Sequence, residues 1–183
     1  MPETQTRYLI SGELVVSDKP GRVWTVLGSC VSAVFSSPSN GLWAMCHAQL
    51  PERRGDGMKC AETCPNPCYK ERDASVEMRY VTCVLRSMAD RFFSELIPPS
   101  RIRVRLYGGA SLFKGITAGI SVGEKNVAAA RATLSSLGLR IAEQETGGEV
   151  GRTVVYDSVT DRVEVRSPSL EDKTTSLNVR IPV

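Results

Sequence analysis

The sequence predicts an α+β fold in which mixed β-sheets pack against helices. Three observations carry this. The first fifty residues break into strand-like runs joined by short turns, two separate stretches show helical periodicity, and further strand-like runs follow the second helix. Strands grouped before and after a few helices, without strict strand–helix alternation, form the α+β pattern. A chain of 183 residues buries a sizeable core without disulfide staples and fits one domain. We expect that domain over residues 1–166, with a cysteine-bearing loop at 52–73 and a C-terminal tail at 167–183.

The opening strands are predicted over Glu13 to Ser17, Arg22 to Leu27, Val31 to Ser36 and Leu42 to Leu50. Each is rich in β-branched or aromatic residues and bounded by turn chemistry, "SDKPG", "GS" and "SPSNG". Their short connections leave no room for helical crossovers and favour antiparallel pairing. From Pro51 the pattern stops, and "PERRGDGMKCAETCPNPCYKERDA" reads as a long loop. Met78, Val81, Leu85, Met88, Phe92 and Leu96 then recur at three- and four-residue spacing, which predicts a helix over Ser75 to Ile97, ended by Pro98-Pro99. "RIRVRL" at Arg101 to Leu106 alternates basic and apolar residues, as a half-buried strand with one cationic face would. A Gly-rich turn leads to a second predicted helix, Asn126 to Leu137, with Gly138 after its end. Strands at Leu139 to Glu145, Arg152 to Tyr156 and Arg162 to Arg166 close the domain, the last two joined by "DSVTD" as a hairpin.

Composition narrows the function classes. The net charge of +3, with no basic run or aromatic–basic interleaving, argues against nucleic acid as partner. No apolar segment is long enough to span a membrane. The N-terminus lacks the charged, apolar and small-residue regions of a signal peptide, so a cytoplasmic setting and reduced thiols are expected.

The chemistry concentrates on Cys30 and His47, the latter the single histidine of the chain. Cys30 lies in "LGSCV", after a strand and a glycine, where a tight turn would expose the thiol. Backbone N–H groups such as those of Ser29 and Cys30 would then be free to face an oxyanion. Amide hydrolysis needs a nucleophile and a group that takes a proton and later returns it, which a Cys–His pair supplies. The same two residues could instead be a buried core thiol and a hydrogen-bonded strand histidine. Strand alternation turns Cys46 away from the face of its neighbour His47, which favours Cys30 over Cys46 as nucleophile.

"LGSCV" at Leu27 to Val31 and "HAQLP" at His47 to Pro51 resemble the chemoreceptor glutamine deamidase (CheD) family. So do "GGA" at Gly108 to Ala110, "VGEKN" at Val122 to Asn126 and "GGEVGR" at Gly147 to Arg152, in the family's order. The resemblance implies a layered α/β/β/α sandwich like that of deamidating bacterial toxins. It implies a protein-glutamine glutaminase that converts selected glutamines of chemoreceptor cytoplasmic domains to glutamate, releasing ammonia, without a cofactor. It assigns Cys30 as nucleophile, His47 as base and acid, and Thr25 as a further catalytic residue. The same acyl-enzyme logic would also allow hydrolysis of a glutamate methyl ester. An alternative reading is a regulatory partner of a CheC-type chemotaxis phosphatase with little deamidase activity.

Three features stay open at this level. Gly108, Gly109, Gly147, Gly148 and Gly151 serve tight turns or close backbone approach. Arg152 either binds an acidic group on a partner or flanks a strand. Cys60, Cys64 and Cys68 form a C-x3-C-x3-C run that could hold a metal with Cys46 or Cys83 as fourth ligand, form a redox-sensitive disulfide, or do nothing shared. A metal or redox sensor built on that run is the third reading of the chain.

Overall fold

The computed structural model describes residues 5–52, 78–112 and 121–167. Strands β1 (Gln5–Tyr8), β2 (Leu14–Ser17), β3 (Gly21–Leu27), β4 (Val31–Ser37) and β5 (Leu42–Cys46) precede helix α1 (Val81–Ser94). A short 3-10 turn at Pro99–Arg101 leads into β6 (Arg103–Gly108), followed by helix α2 (Val122–Ser136), β7 (Ile141–Thr146), β8 (Arg152–Asp157) and β9 (Arg162–Arg166). Apart from Glu52, the expected loop at 52–73 with Cys60, Cys64 and Cys68 lies outside the described residues, as does the expected tail beyond Ser167.

The strands form two mixed sheets, as the α+β expectation requires. One has the order β1-β3-β8-β9 and the other β2-β5-β4-β6-β7. Pairing is antiparallel except for β1 with β3 and β6 with β7. The second parallel pair arises because the chain crosses through α2 between β6 and β7. Strand β1 was not legible in the sequence: "QTRY" has no apolar alternation, and pairing with β3 alone defines it.

Strand β4 is buried along its whole length, and its alternation explains the layers. Val31, Ala33 and Phe35 join Val84, Leu85, Met88 and Phe92 of α1 and Val127, Ala130 and Leu134 of α2 in one apolar cluster. Each such large side chain contributes about 1.5–3 kcal/mol by leaving water. Val34 faces the other way and joins Trp43, Met45, Val23, Leu27, Val154 and Tyr156 between the two sheets. Both described helices lie on the five-stranded sheet. Among the described residues no helix covers the outer face of the four-stranded one.

Helix boundaries shift for local reasons. Residues 78–80 are not helical, because the backbone N–H groups of Gln49 and Leu50 both donate to the carbonyl of Arg79 and Tyr80 bridges Leu50. Helix α2 starts one turn before Asn126, where Ser121 and Glu124 form a reciprocal capping box. The expected cationic face of "RIRVRL" is corrected at Arg105. Its side chain is buried between the sheets, donating to Ser36 Oγ, to the Asp161 carboxylate and to the Asp161 carbonyl, while Arg103 stays exposed.

Candidate active site

The inward face of β3 presents Val23, Thr25 and Leu27, all buried. Thr25 is the one polar member of that row. Its hydroxyl donates to the carbonyl of Leu9 at 2.8 Å and lies 2.7 Å from His47 Nδ1. A carbonyl only accepts, so the single hydroxyl proton is committed to Leu9. His47 Nδ1 must therefore carry a proton and donate it to Thr25 Oγ1. This contact joins the four-stranded sheet, through β3, to the chain that continues β5 of the five-stranded sheet.

The tautomer leaves the lone pair on His47 Nε2. That atom is buried and has no hydrogen-bond partner. Burial holds the imidazole below its ordinary pKa of 6.5, opposed by the Leu9 carbonyl and the Glu13 carboxylate. His47 is thus neutral at pH 7, with an unused acceptor.

Register places the thiol relative to that acceptor. Val31 and Ala48 exchange both backbone hydrogen bonds, 2.9 and 2.8 Å, and extend the β4–β5 pairing. Ser32 therefore stands opposite His47, and Cys30 is its diagonal neighbour on the same face, a separation of roughly 7 Å between such positions. Cys30 is half-buried and packs on the inter-sheet cluster. Burial raises its thiol pKa, opposed by its own backbone N–H. No hydrogen bond from Sγ to Nε2 offsets that rise.

The loop carrying Cys30 has its carbonyls tied down one after another. Gly28 accepts from Ala110 N–H at 2.9 Å, Ser29 from Asn126 Nδ2 at 2.8 Å, and Cys30 from Gly109 N–H at 2.7 Å. Among the described hydrogen bonds none uses the N–H of Gly28 or Ser29, and that of Cys30 meets only its own thiol. A trans peptide sets each N–H opposite the preceding carbonyl, so the tied Gly28 and Ser29 carbonyls turn the N–H groups of Ser29 and Cys30 away from the 108–110 loop and α2, where an oxyanion could meet them. Gly108 makes this possible. Its φ is +99° and a Cβ there would stand 2.3 Å from the Cys30 carbonyl oxygen, so both the turn and the close approach require glycine.

Arg152 is placed more simply. Its guanidinium donates to the carbonyls of Glu145 and Gly147, bracing the turn at Gly147-Gly148, where both φ values are +78°. That turn in turn meets the 108–111 loop, through Gly147 N–H to Gly108 and Ser111 N–H to Gly148.

The cysteines separate clearly. Cys46 lies in the helix-side cluster, on the face opposite His47, and accepts the N–H of Ala33 at 3.4 Å. Burial pushes its pKa up to about 12, which makes it a core thiol. Cys83 of α1 is buried as well. Among the described residues no cluster of His, Cys, Asp and Glu could hold a metal. The residue that sequence reasoning missed is Asn126. It sits inside "VGEKN", and its burial next to the nucleophile loop had no signal in spacing or composition.

A half-buried thiol and a buried, threonine-held imidazole thus share one face at one end of the space between two mixed sheets. Residues 65–167 match the family model described as CheD chemotactic sensory transduction. A probable chemoreceptor glutamine deamidase CheD 2 of Geobacter sulfurreducens is 32% identical over 162 residues, covering 88% of this chain and 89% of its own. The probable chemoreceptor glutamine deamidases of Thermococcus kodakarensis and Methanococcus vannielii are 31% and 28% identical, over 86% and 85% of this chain and 90% of their own. The chain belongs to the CheD family. The family model begins downstream of Thr25, Cys30 and His47, but the alignment with the Geobacter relative leaves out too little of this chain to exclude any of the three. Among solved structures, YlmD from Geobacillus stearothermophilus overlaps 79% of this chain and 60% of its own at a TM-score of 0.45 and 14% identity. No described helix is long and apolar enough to cross a membrane.

Proposed function

We propose that this chain deamidates glutamine side chains of chemoreceptor cytoplasmic domains, with Cys30 as nucleophile, His47 as base and acid, and Thr25 as the residue that holds His47. The reading rests most on one observation. The Thr25 hydrogen bond commits Nδ1 of the single histidine and leaves Nε2 buried, unprotonated and unpartnered on the face shared with Cys30. The names of the curated relatives supply the substrate class.

The steps follow from the groups present. Substrate entry brings Sγ and Nε2 together, and Nε2 takes the thiol proton. The thiolate attacks the side-chain carbonyl carbon of glutamine. The N–H groups of Ser29 and Cys30 receive the developing oxyanion. When the tetrahedral species collapses, the C–N bond breaks, the Nε2 proton leaves with ammonia, and a thioester remains. Nε2 then takes a proton from water, hydroxide attacks the thioester, and the proton returns to Sγ as glutamate departs. While His47 is charged, Thr25 Oγ1 and the Leu9 carbonyl behind it stabilise the imidazolium. Exposed Leu112, whose side chain lies over Gly28, offers apolar contact to the methylenes of the incoming side chain.

The test is mass spectrometry of a receptor cytoplasmic fragment incubated with the wild-type, Cys30→Ala and His47→Ala proteins. Conversion of glutamine to glutamate by the wild type alone is expected. Conversion that persists in either variant would sink the mechanism. Binding of a CheC-type phosphatase without any conversion would favour the regulatory reading instead.

A further inference from the structure

We propose that Asn126 is a positioning residue for the Cys30–His47 pair, a bolt that fixes the chain just before the nucleophile to the chain just after the base. The proposal rests on the reading of Cys30 and His47 given above. Asn126 stands in the second turn of α2 and is completely buried. Its Nδ2 donates to the carbonyl of Ser29 at 2.8 Å and to the carbonyl of Gln49 at 2.9 Å. Ser29 immediately precedes Cys30, and Gln49 lies two residues after His47, directly opposite Cys30 in the extended β4–β5 register.

Both partners are carbonyls, so only the amide nitrogen can serve them and the orientation of the carboxamide is fixed. The consequence is an orphan: Oδ1 is buried without a partner. A side chain present only for packing would not carry an unmet acceptor into the core, where that is costly. What the carboxamide provides in exchange is geometric. Beyond Val31–Ala48 no ladder hydrogen bond holds the Cys30 segment to the Gln49 segment, and the Asn126 fork closes that gap. It also turns the Ser29 carbonyl inward and so keeps the next N–H, that of Cys30, on the thiol side.

The helix itself is seated for this task. Gly123 packs so tightly on the 109–110 backbone that a Cβ would lie 2.5 Å from the carbonyl oxygens of both Gly109 and Ala110. The capping box at Ser121 and Glu124 sets the first turn. Asn126 is therefore held at a defined height above the loop, and Nδ2 acts only through the two segments it joins.

The experiment is steady-state deamidation of a receptor fragment by the full chain, comparing wild type, Cys30→Ala, Asn126→Ala and Asn126→Ser, with a thermal melt of each. Loss of conversion in C30A, together with the loss expected in His47→Ala above, establishes the pair on which the proposal rests, and persistence in either refutes that reading separately. With the pair established, N126A and N126S are expected to fold and to lose at least about tenfold in kcat, the cost of a misplaced reacting group. KM should stay within about twofold, since substrate touches neither segment through Asn126. Wild-type kcat in either folded variant overturns the proposal. So does a rise in KM at constant kcat, which would make Asn126 part of a binding surface. Loss of cooperative folding in both variants overturns it as well, because Asn126 would then be a residue of the fold and not of the pair.

Discussion

Replacing Thr25 by valine isolates the contact on which the assignment of His47 depends. Valine keeps the branched shape and removes only the hydroxyl. The Leu9 carbonyl then loses its donor and His47 Nδ1–H loses its acceptor, both at a fully buried position. Each orphaned group costs about 1–3 kcal/mol, so Thr25→Val should lower folding stability by roughly 2–6 kcal/mol if nothing moves. The Leu9 carbonyl already acts directly on the imidazole, and a ring rotation toward it would satisfy both orphans at once. That relaxation lowers the stability cost to about 1 kcal/mol and turns Nε2 away from Cys30. Either way the lost orienting energy reaches kcat, at about tenfold for each 1.4 kcal/mol. The expected loss is between about tenfold and about a hundredfold. Thr25→Ser keeps the hydroxyl and deletes one methyl, so it should retain kcat within about threefold while losing about 1 kcal/mol of stability. Deamidation kinetics on a receptor fragment, with chemical denaturation of each variant, measure both quantities. A folded T25V protein with wild-type kcat would refute the reasoning, because His47 would then need no holder.

Four further predictions concern His47, the Arg105–Asp161 pair and Gly108. Because the chain has one histidine, nitrogen-15 NMR of histidine-labelled protein should show a single imidazole in the Nδ1–H form, titrating below its ordinary 6.5. A neutral Nε2–H form at pH 7 would contradict the tautomer. His47 must be neutral to accept the thiol proton, so the acid limb of kcat/KM should likewise fall below pH 6.5. Asp161→Asn should cost about 3 kcal/mol at pH 7, because it leaves the buried Arg105 guanidinium without its counter-charge. Asp161 opposes desolvation with hydrogen bonds from Arg105 and Ser36 and ends below its ordinary pKa. Its stabilising contribution is therefore complete above the unfolded value near about 4 and fades as pH falls through the folded one. The gap between D161N and wild type in denaturant midpoint should shrink on going from pH 7 to pH 3, and a constant gap would refute the ion pair as cause. Gly108→Ala should disable the protein more than its size suggests, since the new methyl meets the Cys30 carbonyl at 2.3 Å with φ at +99°. Wild-type activity in G108A would show that the nucleophile loop tolerates displacement.

Why some features were legible in the sequence and others were not follows from how far each reaches along the chain. Strands β2 to β5 and both helices announce themselves by local alternation or periodicity, and the alternation of Cys46 and His47 holds because a strand has no other choice. Arg105 was read as exposed because period-two logic assigns the basic residues of "RIRVRL" to solvent. The structure reverses this, since β6 is covered on both faces and Asp161, 56 residues away, supplies the charge that permits burial. The parallel partner of β1 is likewise a long-range choice that "QTRY" does not encode. For the site, spacing alone left Cys30 and His47 open. What joins them is a register, Val31 against Ala48, together with a hydroxyl from the other sheet.

Polar contacts between the sheets also explain how the Cys30 and His47 side chains stay placed inside an otherwise apolar layer. Apolar side chains such as Val34, Trp43, Met45 and Tyr156 drive the sheets together but tolerate sliding, because dispersion and burial have no direction. Thr25–His47 sits at the Ser32 level of β4, and the Arg105–Asp161–Ser36 network sits four residues further along the same strand, a spacing of about 13 Å. A slip of the sheets by one residue pair would break both ties and leave Arg105, Asp161, Thr25 and Nδ1–H unmet in the core. These ties, together with the Arg152–Glu145 contact from β8 to β7, fix the stacking, and His47 inherits its position from it. Cys30 inherits its own position from the opposite side, through the 108–110 loop and α2. The two residues are thus gripped from two sides, with Asn126 joining their segments, which is how a thiol and a neutral imidazole are kept on one face without a bond of their own.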